Sequence, residues 1–253
     1  MLREQNADKK KPGDTSFWPV VDACHYSPCP MGPGPGPDYR RPMNNFPKIT
    51  EEEALETVKK YLADGFDPTH STHELNSEKN GPLVVSVTGS YWRSVDFKIE
   101  CLRVLKEGGA VFVRSNGNCI TGHGFETMPL FSMKSALTGL QIRQNPNHQA
   151  DTETDAVKAP PTSVADVDAA VVPLIEFLVN DCEGVKQHLD KGSHQMFACG
   201  SNAIQFAVKK NMPKCAACLV KAGATVDEAV LDLAKALENG SETMTKALTD
   251  NTP

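Results

Sequence analysis

Two cysteines and a histidine lie close together near the N-terminus, at Cys24, His25 and Cys29 in the stretch CHYSPCPMGPGPGP. Thiolate and imidazole are ligands that zinc prefers, and two nearby thiols can also form a disulfide. The Cys-x4-Cys spacing is uncommon for zinc, however, and the next histidine along the chain is His70. A metal site, a disulfide and unpaired cysteines all remain open here, and the spacing favours unpaired cysteines.

The other candidates for chemistry have simpler structural interpretations. Cys215 and Cys218 have a Cys-x-x-Cys spacing, but they fall within an apolar helical pattern and lack a second ligand pair. The stretch GNCITGHG at residues 117–124 has His123 where a phosphate-binding loop needs lysine. No nucleophile has a convincing base, so the sequence predicts no catalytic residue, no cofactor, no bound metal and no enzyme activity.

Composition narrows the class of protein. The 253 residues carry a formal net charge of -6 and no basic stripe, which argues against nucleic-acid binding. No stretch approaches the roughly 20 apolar residues of a transmembrane helix, and the first residues lack the apolar core of a secretory signal. The 8 cysteines are scattered, and four in apolar helical patterns are expected to be buried free thiols of a reducing intracellular compartment. These four are Cys101, Cys182, Cys215 and Cys218.

The first 48 residues are rich in proline, glycine and charge and are expected to form an extended arm without a core of its own. The GPGPGP run favours polyproline-like backbone and is interpreted as a spacer. An aromatic island interrupts this polar segment, and an island of this kind often docks on another surface. The predicted partner-binding residues of the arm are Phe17, Trp18, Val20, Val21, Tyr39 and Arg40.

An amphipathic helix is predicted directly after the arm. Thr50 and Glu53 form a capping-box pattern, apolar residues recur at helical spacing over 54–62, and Gly65 follows as a helix terminator. Similar endings recur in ECLRVLKEGGA at 100–110, VKQHLDKGS at 185–193 and CAACLVKAGAT at 215–225. The sequence therefore predicts a series of short helix pairs that each end in a glycine turn.

The stretch NAIQFAVKKNMPKCAACLVKAGAT resembles an ankyrin repeat, with two short helices and a Leu-Val-x-x-Gly-Ala ending. Thr127, Pro129 and Leu130 retain part of the family's helix start, and Gly192 and Gly223 are about 31 residues apart, close to the ankyrin period. The resemblance implies an all-α solenoid of stacked repeats. It also implies binding of other proteins through the turn tips and the concave helical face.

Four regions follow from these patterns. Residues 1–48 form the arm, 49–143 degenerate ankyrin-like repeats, 144–168 a polar linker or long loop, and 169–250 further repeats with a C-terminal cap. The long turn after Ser86 has either a structural role or a role in contacting a partner.

The predicted function is a non-catalytic interaction protein. An arm of this kind is expected to be held by neighbouring subunits, which favours an accessory subunit of a large assembly. A membrane-associated organellar complex of mitochondrion or plastid, respiratory or photosynthetic, would accommodate it as a peripheral subunit. The alternatives are a soluble cytosolic ankyrin adaptor that binds partners transiently, and a metal or redox sensor that uses Cys24, His25 and Cys29.

Overall fold

A computed structural model of the protein describes Val20 and residues 49–69, 82–90, 93–113, 119–121, 124–144, 161–192 and 200–250. Within these ranges the chain is almost entirely α-helical, which confirms the all-α prediction. The exception is an antiparallel hairpin of two short strands, in which Ile120 is paired with Phe125.

The elements follow one another in chain order, with several long connections before residue 203. The helices are α1 Glu51–Ala63, α2 Pro82–Gly89, α3 Val95–Glu107, α4 Met128–Gln144, α5 Val164–Asp181, α6 Ala203–Lys209, α7 Pro213–Lys221, α8 Glu228–Lys235 and α9 Ser241–Thr249. The strands β1 Cys119–Thr121 and β2 Gly124–Glu126 precede α4, and a short 3-10 helix, Lys186–His188, follows α5.

Side-chain caps set the start of several helices. The predicted capping box of α1 is confirmed, since the Glu53 amide donates to Thr50 Oγ1 at 3.1 Å and the Thr50 amide donates to Glu53 Oε2 at 2.8 Å. Ser163 caps α5 and Asn202 caps α6 in the same reciprocal manner. Each cap satisfies amide groups that the first turn of a helix leaves without an acceptor.

Three of the predicted glycine endings are present. Gly65, Gly109 and Gly223 follow α1, α3 and α7 with positive φ angles of 81°, 87° and 100°. The amide of the residue after each glycine donates back across the final turn, as Ala224 does to the carbonyl of Leu219 at 2.9 Å. This is the Schellman arrangement, which satisfies the last carbonyls of a helix.

The predicted helix over 185–193 is wrong. That stretch contains the 3-10 helix and turns, and the positive φ in this region belongs to Gly184, at 81°. The reason is that α5 runs through Pro173 to Asp181, so the turn comes earlier than the ankyrin spacing suggested. Helix α5 also begins at Val164, inside the predicted 144–168 linker, because Ser163 and Asp166 provide its cap.

The helices pack in two rows. The odd-numbered helices α1, α3, α5, α7 and α9 contact one another in that order, and the even-numbered helices α2, α4, α6 and α8 do the same. Each even-numbered helix also packs on the odd-numbered helix that follows it. The two predicted repeat regions therefore pack directly on each other, through α4 and α5.

One continuous apolar core runs along the array. Its largest fully buried side chains come from both rows and from the turn between α6 and α7. They are Leu83, Leu102, Leu105, Met128, Leu130, Met133, Leu174, Ile175, Leu178, Ile204 and Met212. Because each helix pair buries little surface by itself, stability depends on contacts between neighbouring pairs.

Replacing Gly184 by alanine is expected to lower the free energy of unfolding by about 2 kcal/mol. Gly184 has φ 81°, and an added Cβ would lie 2.5 Å from Cγ2 of Val113, a stiff β-branched side chain. Gly223→Ala is the matched control, since φ is 100° but no atom lies within 4 Å of the new Cβ. Urea denaturation should give a smaller loss for Gly223→Ala, and equal losses would contradict the packing argument.

Candidate functional site

Only one of the predicted partner-binding residues lies in the described part of the chain. Val20 is helical, 4% exposed and belongs to the apolar core. Phe17, Trp18, Val21, Tyr39 and Arg40 lie outside the described residues, as do Cys24, His25 and Cys29. The predicted metal or redox cluster and most of the predicted anchor therefore remain predictions.

The four cysteines predicted as buried thiols are free and buried, as the sequence suggested. Burial raises the pKa of Cys182 to about 12 and that of Cys218 to about 11. Burial also raises the pKa of Cys215, and the nearby carboxylate of Asp168 adds to this shift. A thiol with a raised pKa is a poor nucleophile and a poor metal ligand at neutral pH, so these side chains serve packing.

Native alkylation should therefore spare Cys182, Cys215 and Cys218. At pH 8 we expect iodoacetamide to modify them at least about tenfold more slowly in the folded protein than in 8 M urea, because only the thiolate reacts. Peptide mass spectrometry resolves each position. Rapid modification of Cys215 or Cys218 in the folded chain would contradict a purely structural role.

Within the described residues, no group of three or more histidine, cysteine, aspartate or glutamate side chains is arranged to hold a metal ion. No helix in this part of the chain is long and apolar enough to cross a membrane. The features that remain are polar contacts between neighbouring helix pairs.

The first of these contacts joins α1 to α3. Glu51 accepts from the amide of Ser94 at 2.6 Å and from its hydroxyl at 2.7 Å. Arg93, which is 4% exposed, donates to the carbonyl of Ile49 at 3.1 Å and lies over the ring of Phe97 at 5.1 Å. The α2–α3 turn thus holds the beginnings of two odd-row helices together.

A buried lysine satisfies the end of α2. Lys98 is 5% exposed, and its ammonium group lies 3.4 Å from the carbonyl of Thr88. A cation at this position complements the negative end of the α2 dipole.

Most buried polar residues of the described chain belong to this N-terminal region. They are Ser86, Thr88, Ser90, Arg93, Lys98, Thr127, Ser132 and Ser135.

A second contact joins α5 to α7 through a buried carboxylate. Asp168 is 2% exposed and accepts from the amides of Lys214 at 2.9 Å and Cys215 at 2.8 Å. Helix α7 has Met212 as its own N-cap, which makes no capping hydrogen bond, and Pro213 has no amide hydrogen. Asp168 therefore caps α7 from the neighbouring helix.

A third contact joins the turns that follow these two helices. Asp190 accepts from the amide of Thr225 at 2.7 Å and from its hydroxyl at 2.6 Å. Between α3 and α5, the guanidinium of Arg103 lies 5.9 Å from the centre of the Phe177 ring. Together these contacts fix the spacing of successive odd-row helices.

Sequence reasoning missed these contacts. The Ser86–Glu100 stretch, predicted as a long turn, contains the end of α2 and the start of α3. Nothing in its spacing indicates that Arg93 and Lys98 are buried. Asp168 fell at the boundary of a predicted linker, and its acceptor role appears only when α5 and α7 are neighbours. Pro213 did indicate such a contact. A helix that starts without its own side-chain cap needs another acceptor for the amides of its first turn.

The described surface is polar. Within the described ranges, Val164 is the one large hydrophobic residue that counts as exposed, at 39%.

Comparison with family models, curated proteins and solved structures finds no match to this chain. The fold itself defines the class of protein: a two-row helical array with polar contacts between neighbours and no metal cluster among the described residues.

Proposed function

We propose that this chain is a non-catalytic protein–protein interaction protein, built as an ankyrin-like helical solenoid and working as an accessory subunit of a larger assembly. The observation that carries the proposal is the order of contacts, odd helix to odd helix and even helix to even helix. Stacked repeats contact only their neighbours and provide long binding surfaces rather than a single enclosed pocket.

The glycine endings support an ankyrin-like interpretation. In this family a pair of short helices is followed by a tight turn and a connection to the next pair. Here α2 with α3 and α6 with α7 are such pairs, and the second helix of each ends at Gly109 or Gly223 in the left-handed region. Helix α4 is longer than a repeat helix usually is, which fits a degenerate rather than a regular array.

The connections between pairs are the proposed partner-binding surface. The connections after α1, α3 and α5 have roughly 18 to 21 residues, whereas the connection after α7 has roughly six. Structureless connections of this length within a compact domain are usually either functional or linkers, and a functional role is proposed for these. Each of them follows the C-terminal end of an odd-row helix, and much of each lies outside the described residues.

The arm residues Phe17, Trp18, Val21, Tyr39 and Arg40 remain proposed partner contacts. In the accessory-subunit proposal, the arm and the long connections together attach the array to neighbouring subunits. A peripheral position on an organellar membrane complex fits this arrangement, and protein subunits are the partners rather than nucleic acid.

The proposal is tested by native gel electrophoresis and size-exclusion chromatography of cell extract containing the full tagged chain. We expect the chain in one constant high-mass position. Replacing residues 70–80 by a Gly/Ser segment of equal length should reduce recovery of co-purifying subunits at least about tenfold, as loss of a hot-spot region does. A matched control replaces Glu242 and Lys246, which are exposed on the terminal helix α9.

Two results would contradict the proposal. A monomeric chain in native extract would exclude a stable assembly, and a variable mixture of free and bound chain would instead indicate a transient adaptor. A Trp18→Ala variant tests the arm in the same experiment. If this variant alone loses the co-purifying subunits, the arm rather than the connections attaches the chain.

A further inference from the structure

Helix α2 is almost completely buried in the described structure. It lies at the end of the even row, with α4 as its row neighbour and α3 as its partner. Apart from half-buried Val85, the residues from Leu83 to Gly89 are buried, and Leu83, Val84 and Val87 are all 0% exposed.

The other end of the even row shows what an uncovered terminal helix looks like in this array. Helix α8 buries Val230 and Ala234, while Glu228, Asp232 and Lys235 are exposed. A terminal helix has one flank facing solvent, so it carries polar residues there. The sequence of α2, PLVVSVTG, has no charged residue and thus no such flank.

A place for a further even-row element exists beside α2. Each of the odd-row helices α3, α5, α7 and α9 packs on an even-row helix, whereas α1 has substantial contacts only with α3 among the described helices. The missing partner of α1 would lie next to α2. Strand β1 also contacts α2, and its hairpin leads directly into α4.

We infer that the flank of α2 is a docking surface for the N-terminal segment of the same chain, with Val20 as the side chain that enters the core there. Val20 is helical and 4% exposed, although about 28 residues separate it from Ile49. The segment completes the first helix pair with α1, so part of the arm belongs to the folded array.

The length of the arm favours docking within one chain over docking on a second copy. About 28 residues can span roughly 90 Å when extended. The arm joins α1 in the odd row, and neighbouring helix axes are only about 10 Å apart. A short distance within one chain gives the segment an effective concentration at α2 in the millimolar range, far above the concentration of a second copy in solution.

The inference goes beyond the proposed function because it concerns stability of the isolated chain and needs no partner. It is tested by hydrogen exchange on the purified full-length protein and its Val20→Ala variant. We expect amides of α2 to exchange about tenfold faster in the variant, since two buried carbons are lost, and amides of α6–α9 to be unchanged. Val164→Ala is the matched control, because Val164 is 39% exposed.

Val20→Asp extends the test with a stronger perturbation. It should lower the melting temperature and expose α2, whereas Val164→Asp should change neither. Unchanged α2 exchange in Val20→Ala would overturn the inference, and so would acceleration confined to another helix. Exchange of α2 that slows with increasing protein concentration, together with a dimer in light scattering, would overturn docking within one chain.

Discussion

Replacing Asp168 by alanine is expected to lower the free energy of unfolding by about 3–4 kcal/mol. The change removes the two carboxylate oxygens that accept from the amides of Lys214 and Cys215, and Asp168 is only 2% exposed. Helix α7 has no side-chain cap of its own to replace them. Urea denaturation followed by circular dichroism measures the loss, and Asp168→Asn should recover part of it because its amide oxygen can still accept.

The matched control lies two residues earlier on the same helix. Asp166 is exposed and accepts hydrogen bonds from Thr162 and Ser163. The Thr162 and Ser163 bonds hold the pKa of Asp166 below its ordinary value. The contribution of Asp166 to stability is therefore present above its unfolded pKa of about 3.9. It is lost as the pH falls toward the lower pKa of the folded state.

Asp166→Ala should be clearly less destabilising than Asp168→Ala at pH 7, and its small effect should vanish on acidification. Equal losses for the two variants at pH 7 would mean that the contact from α5 to α7 contributes no more than a surface cap.

Replacing Ile175 by alanine is expected to lower the free energy of unfolding by about 3–4 kcal/mol. Ile175 is 0% exposed in the middle of α5, and α5 packs on α3, α4 and α7. The cavity would therefore weaken the centre of the array rather than one end. Hydrogen exchange should accelerate from α3 through α7 together, because neighbouring pairs stabilise each other.

Val164→Ala tests the same substitution class at an exposed position of the same helix. Its effect should stay within about 0.5 kcal/mol, as is usual for surface changes. If Ile175→Ala loosens only α5 while its neighbours keep their protection, the helices do not form one cooperative stack.

Much of the local structure was predictable from the sequence. The capping box of Thr50 and Glu53 and the glycine endings at Gly65, Gly109 and Gly223 are present where the patterns placed them. The same reasoning failed over 185–193, where Val185 and Leu189 are buried with helical spacing but the chain forms a 3-10 turn. Apolar spacing over two turns of chain does not distinguish a short helix from a turn packed on its neighbours.

The candidate site was less predictable than the fold. The sequence suggested chemistry at cysteine and histidine clusters, but Cys101, Cys182, Cys215 and Cys218 are buried free thiols. The residues that organise the array are ordinary charged ones, Glu51, Arg93, Lys98 and Asp168. Charged residues are rarely fully buried, so a sequence offers no reason to select these from their exposed counterparts.

The sequence by itself determined the start of α1 and the ends of α1, α3 and α7, because caps and left-handed glycines act on amides and carbonyls within one turn. Only the tertiary structure decided which helices became neighbours, and with that the partners of Glu51 and Asp168. Those partners lie 43 to 47 residues away along the chain. Val20 belongs to the same buried core, although about 28 residues separate it from Ile49.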